Sequence, residues 1–96
     1  MKLRWSRRAL ADLDRICARI ALDKPAAAVQ FAQAVADKVD RLREFPFLGR
    51  SGAYQDTREL VVHKNYLVTY RVRSDEVQVL QVWHVARDKA RGVGAT

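Results

Sequence analysis

The first half of the chain carries apolar residues at helical spacing. Ser6 precedes the pattern, and its hydroxyl can accept a backbone N–H as the N-cap of a helix. Asp12, Arg15 and Arg19 fall mostly off the apolar positions, which predicts a solvated stripe on this helix. The predicted apolar face consists of residues at spacings of three, three, one and three: Leu10, Leu13, Ile16, Cys17 and Ile20.

A second helical pattern follows after a short link. Pro25 suits the first turn of a helix, where its missing N–H has no partner to lose. This helix is predicted to run from Pro25 to about Glu44, because Pro46 biases Phe45 away from helical geometry. The two helices form an αα-hairpin. The apolar face of the second helix consists of Ala28, Phe31, Ala32, Val35, Val39 and Leu42.

The apolar period changes from helical to two in the second half of the chain. Residues 45–56 contain a proline and two glycines and are predicted to form a loop. Short turns at residues 64–65 and 74–76 divide the remainder into hairpins. The predicted strands are Arg58–His63, Tyr66–Arg73 and Val77–His84, to which Lys2–Trp5 adds a short strand at the start.

The strand Tyr66–Arg73 has an apolar face that should meet the helices and a second face that offers Thr69, Arg71 and Arg73. The element order is therefore β-α-α-β-β-β. Such an order predicts an α+β fold in which the αα-hairpin packs on one face of a small antiparallel sheet. We expect one domain over residues 1–96, with residues 90–96 as a frayed tail.

Charge and composition narrow the function classes. Residues 1–10 carry a net charge of +4, residues 11–56 carry zero and residues 57–96 carry +3, which makes the total of +7. A basic surface of this kind suits nucleic acid or an acidic protein partner. The lone Cys17 excludes an internal disulfide and is expected to be an inert buried hydrophobe. No apolar run is long enough for a membrane span and no signal peptide is recognised, so we expect a cytoplasmic protein.

Four residues are candidates for catalytic chemistry. His84 is suited to proton transfer near neutral pH, and an arginine can neutralise charge that develops on a phosphate. Together with Arg58, Arg71 and Arg87, His84 would suffice for phosphodiester cleavage without a metal or cofactor. Structural roles compete with this interpretation: His84 can simply finish a strand, and Arg58 can be a charge that protects a sheet edge. No phosphate loop, Cys/His metal site or nucleophile elbow is present.

Several short motifs together resemble the RelE/ParE superfamily of type II toxins. The hairpin ending in "LREFPFLGR" is followed by "TRELVV", "YLVTYRV" and "VLQVWHVARD". The resemblance extends from about Lys2 to Lys89 and implies a growth-inhibiting toxin held inactive by an antitoxin from the same operon. Its partner would be a ParD-like protein whose acidic segment folds on the toxin. Such a segment would place apolar anchors along the hairpin and acids against Arg4, Arg71 or Arg87.

The superfamily contains two activities. RelE-like members cleave messenger RNA in the ribosome, and ParE-like members, linked to plasmid stabilisation, poison DNA gyrase. Endonuclease members usually carry a basic residue where this chain has Leu67, so the sequence is closer to the ParE-like branch. Ribosome-dependent cleavage is the first alternative, and a non-catalytic nucleic-acid-binding module is the second. We expect His84 and Arg87 to close the last strand on the exposed side of the sheet. The residues expected to bind target or antitoxin are Arg4, Arg58, Arg71, Arg73, His84 and Arg87.

Overall fold

The computed structural model describes residues 1–88. One sheet holds five strands in the order β1-β5-β4-β3-β2. The tail predicted for residues 90–96 lies outside the described residues. In chain order the elements are β1 (Lys2–Trp5), α1 (Arg7–Asp23), α2 (Pro25–Asp40), a 3₁₀ turn (Arg41–Arg43), β2 (Arg50–Ser51), β3 (Arg58–His63), β4 (Tyr66–Arg73) and β5 (Glu76–His84).

The predicted α+β fold is confirmed, with three differences in detail. Strand β1 pairs with β5 in parallel, because the helical hairpin carries the chain back across the sheet before β5 forms. The region predicted as a loop contains the two-residue strand β2, which pairs antiparallel with Arg58 and Glu59. Helix α2 ends at Asp40 rather than near Glu44, and its last turn tightens into the 3₁₀ turn.

Helix α1 begins as predicted and packs four of its five predicted apolar residues, Leu13, Ile16, Cys17 and Ile20, against the core. Its buried face differs from the prediction in the first two turns. The Ser6 hydroxyl accepts a hydrogen bond from the Ala9 N–H at 3.0 Å, which confirms the N-cap. Leu10, predicted to face the core, is 49% exposed. Asp12, predicted to lie on the solvated stripe, is only 8% exposed. The face that meets the sheet is instead centred on Ala9, Asp12 and Ile16.

A β-bulge in β5 explains why a carboxylate can be buried there. Thr69 of β4 pairs with Gln81 and Tyr70 pairs with Val79, so Leu80 is the extra residue. The Ser6 hydroxyl donates to the Leu80 carbonyl at 3.1 Å. An Asp12 carboxylate oxygen accepts the Val82 N–H at 3.0 Å. Two polar side chains at the start of α1 thereby hold the helix to the irregular part of β5.

The main core lies between the hairpin and one face of the sheet. Its helix side follows the predicted periodicity of α2, with Ala32 alone of that set only half-buried. Cys17 is also half-buried, and burial raises the pKa of its thiol, so little reactive thiolate forms. The buried residues of this core include Phe31, Val35, Val39, Leu42, Val62, Val68, Tyr70, Val77, Val79 and Val82.

The opposite face of the sheet is less polar than predicted. Thr69 was expected to be offered to solvent, but it is 1% exposed and accepts the indole N–H of Trp83 at 2.9 Å. Leu67 on the same face is also buried. Burial of an aromatic ring and its hydrogen-bonded hydroxyl partner stabilises this end of the sheet. Arg71, half-buried, and Arg73, exposed, remain the polar residues of the face, as expected.

Candidate functional site

The residues expected to bind target or antitoxin separate into three places. His84 and Arg87 line a cavity at the junction of α1 and the end of β5. Arg4 and Arg71 lie on either side of Gln78, on the sheet face that points away from the helices. Arg58 and Arg73 lie next to the loop that precedes β3. The sequence could not show that these residues form separate surfaces.

The first place, which we call the end pocket, is a cavity of about 260 Å³. Strand β5 delivers His84 to it, and the turn that follows delivers Arg87 and Asp88. Helix α1 contributes two arginines that are four residues apart and therefore lie on one helix face. The lining residues are Arg15, Ile16, Arg19, Tyr66, His84, Arg87 and Asp88.

The turn after β5 is fixed by its own polar groups. The Asp88 carboxylate accepts the His84 N–H at 2.7 Å, and the Asp88 N–H donates to the His84 carbonyl at 3.0 Å. Asp88 is only 6% exposed. Sequence reasoning missed this residue, because its carboxylate bonds a backbone N–H four residues earlier in the chain and no local pattern indicates that contact. The turn places Arg87 at the mouth of the pocket rather than letting it extend into solvent.

Hydrogen bonds to the His84 ring define its tautomer. Nδ1 accepts the backbone N–H of Ala86 at 3.2 Å and that of Arg87 at 3.0 Å. Because backbone N–H groups only donate, Nδ1 must be unprotonated and the proton of the neutral ring lies on Nε2. The nitrogen left for other partners is therefore a donor. In this arrangement His84 is suited to hold an oxyanion and unsuited to act as a general base.

Tyr66 connects the end pocket to the core. Its ring packs edge-on against His84, with centroids 5.0 Å apart, and against Phe31, with centroids 4.8 Å apart. Burial raises the pKa of the Tyr66 hydroxyl, an effect that the nearby Arg19 cation opposes. The hydroxyl is consequently protonated at neutral pH and is able to donate a hydrogen bond. His84 pairs with Tyr66 on the face toward the helices, so the expectation that it lies on the exposed face is wrong.

Arg4 and Arg71 are part of a polar chain across three strands. Arg71 Nε donates to Gln78 Oε1 at 2.7 Å, and Gln78 Nε2 donates to Glu76 Oε1 at 2.8 Å. Arg4 Nε lies 3.3 Å from the same Glu76 oxygen. Gln78, the register partner of Arg71, is six residues from His84, or roughly 20 Å along the strand. Arg71 also lies on the other face of the sheet, so it does not share a site with His84.

Arg58 is held by the loop that precedes β2, in an arrangement we call the Arg58 clamp. One guanidinium nitrogen donates to the Gly49 carbonyl at 2.8 Å and to the Phe47 carbonyl at 3.3 Å. The guanidinium carbon also lies 5.0 Å from the centre of the Phe47 ring. Beneath it the Tyr70 hydroxyl accepts the Gly49 N–H at 2.8 Å. Arg58 therefore fastens the loop to the sheet.

A further surface was not indicated by the sequence. An edge groove of about 380 Å³ runs beside the hairpin, between the end of α2 and strand β3. Leu48 and Val61, which line it, are 46% and 57% exposed. Strand β2 covers only Arg58 and Glu59 of β3, so within residues 1–88 no strand pairs with the outer edge beyond Glu59. The cationic residues of the groove are Lys38, Arg41 and Arg50.

Two features typical of other kinds of protein, a membrane-spanning helix and a metal site, are not found within residues 1–88. Within residues 1–88, neither helix is long and apolar enough to cross a membrane. In the same part of the chain, no group of three His, Cys, Asp or Glu side chains is placed to hold a metal ion.

A helical hairpin on a five-stranded sheet, with separate cationic surfaces, defines a small toxin of the RelE/ParE fold. The chain belongs to the ParE toxin family of type II toxin–antitoxin systems, whose model matches residues 3–89. It is 42% identical over 84 residues to "Putative toxin Y4kP" of Sinorhizobium fredii, covering 86% of each chain. It is 39% identical over 83 residues to Toxin RelE2 of Caulobacter vibrioides, covering 86% of this chain and 93% of the relative.

A solved structure agrees with this assignment. The chain superposes on the chromosomal ParDE toxin–antitoxin system from P. aeruginosa with a TM-score of 0.81 and 28% identity. The superposition covers 88% of this chain and 96% of the other. The family and the ParE-like character expected from the motifs are therefore confirmed.

Proposed function

We propose that this toxin inhibits growth in the cytoplasm by poisoning DNA gyrase, without a catalytic step of its own. The observation that carries the proposal is that the four candidate acid–base residues do not form one site, because only His84 and Arg87 lie together. His84 and Arg87 lie at the end pocket, Arg71 lies on the other face of the sheet and Arg58 is held in its clamp. Metal-independent cleavage of a phosphodiester needs a base and a cation at one reacting phosphate.

Two further observations favour the gyrase proposal over ribonuclease activity. Leu67, at the position where endonuclease members usually carry a basic residue, is 2% exposed and apolar. His84 Nδ1 is occupied by two backbone donors, so the ring has no unprotonated nitrogen to offer a ribose hydroxyl. A toxin that traps an enzyme needs a complementary surface rather than a reacting group.

The proposal is tested with the purified toxin, gyrase, ATP and relaxed plasmid DNA. Loss of supercoiling together with trapped double-strand breaks is expected, and added antitoxin should suppress both. The variant His84→Asn should retain this activity, since Asn can accept the same backbone N–H groups through its amide oxygen. Intact supercoiling in a strain whose growth still stops would refute the proposal. Cleavage of ribosome-bound mRNA would then be measured first, in line with the relative named Toxin RelE2.

Membership of a type II toxin–antitoxin family implies an antitoxin, and we assign its extended segment to the edge groove. Within residues 1–88 no strand pairs with the outer edge of β3 from Leu60 to His63, and an added strand can bind there. Leu48 and Val61 offer apolar contacts. Lys38 and Arg41 are exposed cations beside them, which favours an acidic segment that folds as it binds.

Charge reversal distinguishes this groove from the surfaces expected from the sequence alone. The double variant Lys38→Glu, Arg41→Glu should weaken antitoxin binding at least tenfold, measured by titration calorimetry. The double variant Arg4→Glu, Arg71→Glu serves as the comparison, because these side chains already contact Glu76 and Gln78. If the second variant loses affinity and the first does not, the acidic segment lies on the strand face instead.

A further inference from the structure

The end pocket carries more positive than negative charge, and two of its three arginines have no ion-pair partner within residues 1–88. Arg15, Arg19 and Arg87 give +3 and Asp88 gives −1, so the lining charge is +2. Arg15 is held by the Asp12 carboxylate at 3.1 Å, which lies outside the lining. Within residues 1–88, Arg19 and Arg87 form no ion pair. Such a concentration of cations in a cavity attracts an anion.

The pocket also presents oriented neutral donors. His84 Nδ1 is held by the N–H groups of Ala86 and Arg87, so Nε2 carries a proton. Tyr66 contributes a protonated hydroxyl from the adjacent strand. Both rings are fixed by packing, because Tyr66 lies edge-on between Phe31 and His84. A ligand that accepts hydrogen bonds therefore meets preset donors and loses less freedom by ordering them.

From this geometry we propose that the end pocket binds a phosphate monoester. A monoester carries about −1.5 to −2 charges at neutral pH, which Arg19 and Arg87, the two lining arginines that form no ion pair within residues 1–88, can contact from different sides. Its three terminal oxygens can accept from arginines on two sides of the cavity, from α1 and from the turn after β5. A carboxylate has one charge and two oxygens and would leave part of this set unused.

The size of the pocket limits what is attached to the phosphate. A cavity of about 260 Å³ lies just below the usual range of about 300–1,000 Å³ for small-molecule sites. It accommodates a phosphate with its attached sugar and leaves a base at the mouth. The monoester can come from a free mononucleotide or from the 5′ end of a nucleic acid strand. Neither source requires a reaction at the site.

Binding is measured by NMR titration of the ¹⁵N-labelled toxin with AMP, with adenosine as the control ligand. AMP should shift the signals of the turn after β5 and the His84 Nε2–H, and adenosine should not. The wild-type footprint requires no variant, so a substitution that fails to fold does not weaken the test. Equal shifts with AMP and adenosine, or AMP shifts located elsewhere, would overturn the proposal.

Variants then assign the affinity to named groups. Arg19→Gln and Arg87→Gln should each weaken AMP binding at least fivefold. Arg43→Gln, an exposed arginine paired with Asp40 away from the pocket, is the matched control and should leave the affinity unchanged. A loss of the same size in Arg43→Gln would show that only the overall positive charge attracts AMP, which contradicts a defined site.

Substitution of His84 separates an effect on AMP binding from an effect on the fold. In His84→Asn the amide oxygen can still accept the backbone N–H groups of the turn, but the Nε2–H donor is lost. The fold should therefore be preserved while AMP binds several-fold more weakly. Wild-type affinity in this variant would contradict donation from Nε2.

The two sources of phosphate are distinguished with short single-stranded DNA. A 5′-phosphorylated tetranucleotide is compared with the same strand bearing a 5′-hydroxyl. Tighter binding of the phosphorylated strand than of AMP indicates a nucleic acid end, and equal binding indicates a free nucleotide. A 5′-hydroxyl strand that binds as tightly as the phosphorylated one would exclude a monoester site. The result does not depend on gyrase, since supercoiling is assayed separately.

Discussion

The end pocket and the Arg58 clamp use the same kinds of residue for different purposes. Each combines a tyrosine, at least one arginine and a short turn at the sheet. In the clamp the arginine donates to the carbonyls of Phe47 and Gly49, and the tyrosine accepts the Gly49 N–H. In the end pocket, within residues 1–88, Arg19 and Arg87 form no ion pair.

This difference shows that the hydrogen-bond and ion-pair partners of an arginine, rather than its residue type, distinguish a structural role from a binding role. An arginine whose donors are occupied by carbonyls fixes the chain and has little left for a ligand. An arginine that faces a cavity without a partner retains its electrostatic attraction for an anion. Substitutions in the clamp should therefore reduce stability, whereas substitutions of the unpaired pocket arginines should reduce binding.

The largest stability effect is expected at the foot of the end pocket, at Asp12. Asp12→Ala leaves the buried Val82 N–H without an acceptor and releases Arg15, which should cost about 2–3 kcal/mol of the free energy of unfolding. Urea denaturation measures the change. Asp40→Ala, which removes an exposed ion pair with Arg43, is the control and should cost less than about 1 kcal/mol. Equal losses would mean that the contact to β5 contributes nothing.

The next effect is expected in the Arg58 clamp at Gly49. A Cβ at this position would lie 2.8 Å from the Glu59 carbonyl and from the Tyr70 ring. Gly49→Ala should therefore lower the free energy of unfolding by about 1–3 kcal/mol, because neither a sheet carbonyl nor a buried ring moves easily. Thermal unfolding measures it. Ser51→Ala, exposed in the neighbouring strand, should change stability by less than about 0.5 kcal/mol. If Gly49→Ala left the free energy of unfolding unchanged, the loop would be able to move away from the sheet to make room for the Cβ.

These contrasts also show what the sequence could predict. The faces of α2 and β4 were predictable because apolar periodicity depends on the local chain, and Phe31, Val35 and Tyr70 are buried as expected. Burial of Asp12 was not predictable, because its acceptor role depends on the N–H of Val82, which lies 70 residues later in the chain and next to the bulge. A polar residue is assigned to solvent unless its distant partner is known.

The sequence indicated residues that could form the candidate site, but not how those residues are arranged in space. The motif after β5 correctly indicated that His84 and Arg87 lie together. Arg15 and Arg19 were assigned to a solvated stripe, because nothing in helical periodicity shows that a strand end will come beside them. The role of Arg58 was not predictable either, since the sequence does not show which main-chain carbonyls a side chain contacts.

Arg58 of the clamp and Arg87 of the end pocket should differ in their effect on the free energy of unfolding when each is substituted. Arg58→Gln should lower the free energy of unfolding by about 1–2 kcal/mol, because two loop carbonyls lose a charged donor. Arg87→Gln should change stability by less than about 0.5 kcal/mol. Both are measured by urea denaturation of the same preparation used for AMP binding. If Arg87→Gln proved the more destabilising, the turn after β5 would be a structural element like the clamp.

The smallest expected effect is a pH dependence that compares the tyrosines of the two regions. Burial raises the pKa of both Tyr66 and Tyr70 above the ordinary value of 10.0. Each tyrosine therefore favours the folded state while it is protonated. This contribution is complete below about pH 10 and is lost as the pH rises toward the folded-state pKa, because the unfolded chain ionises first.

Arg19 opposes the rise at Tyr66, as Arg58 and the Gly49 hydrogen bond do at Tyr70. Tyr66→Phe should therefore flatten the decline of stability as the pH rises above about 10, and Arg19→Gln should steepen it. The slope of unfolding free energy against pH is the measurement, with Arg43→Gln as the matched control for Arg19→Gln. An unchanged slope in Arg19→Gln would mean that the Arg19 cation does not act on the Tyr66 hydroxyl.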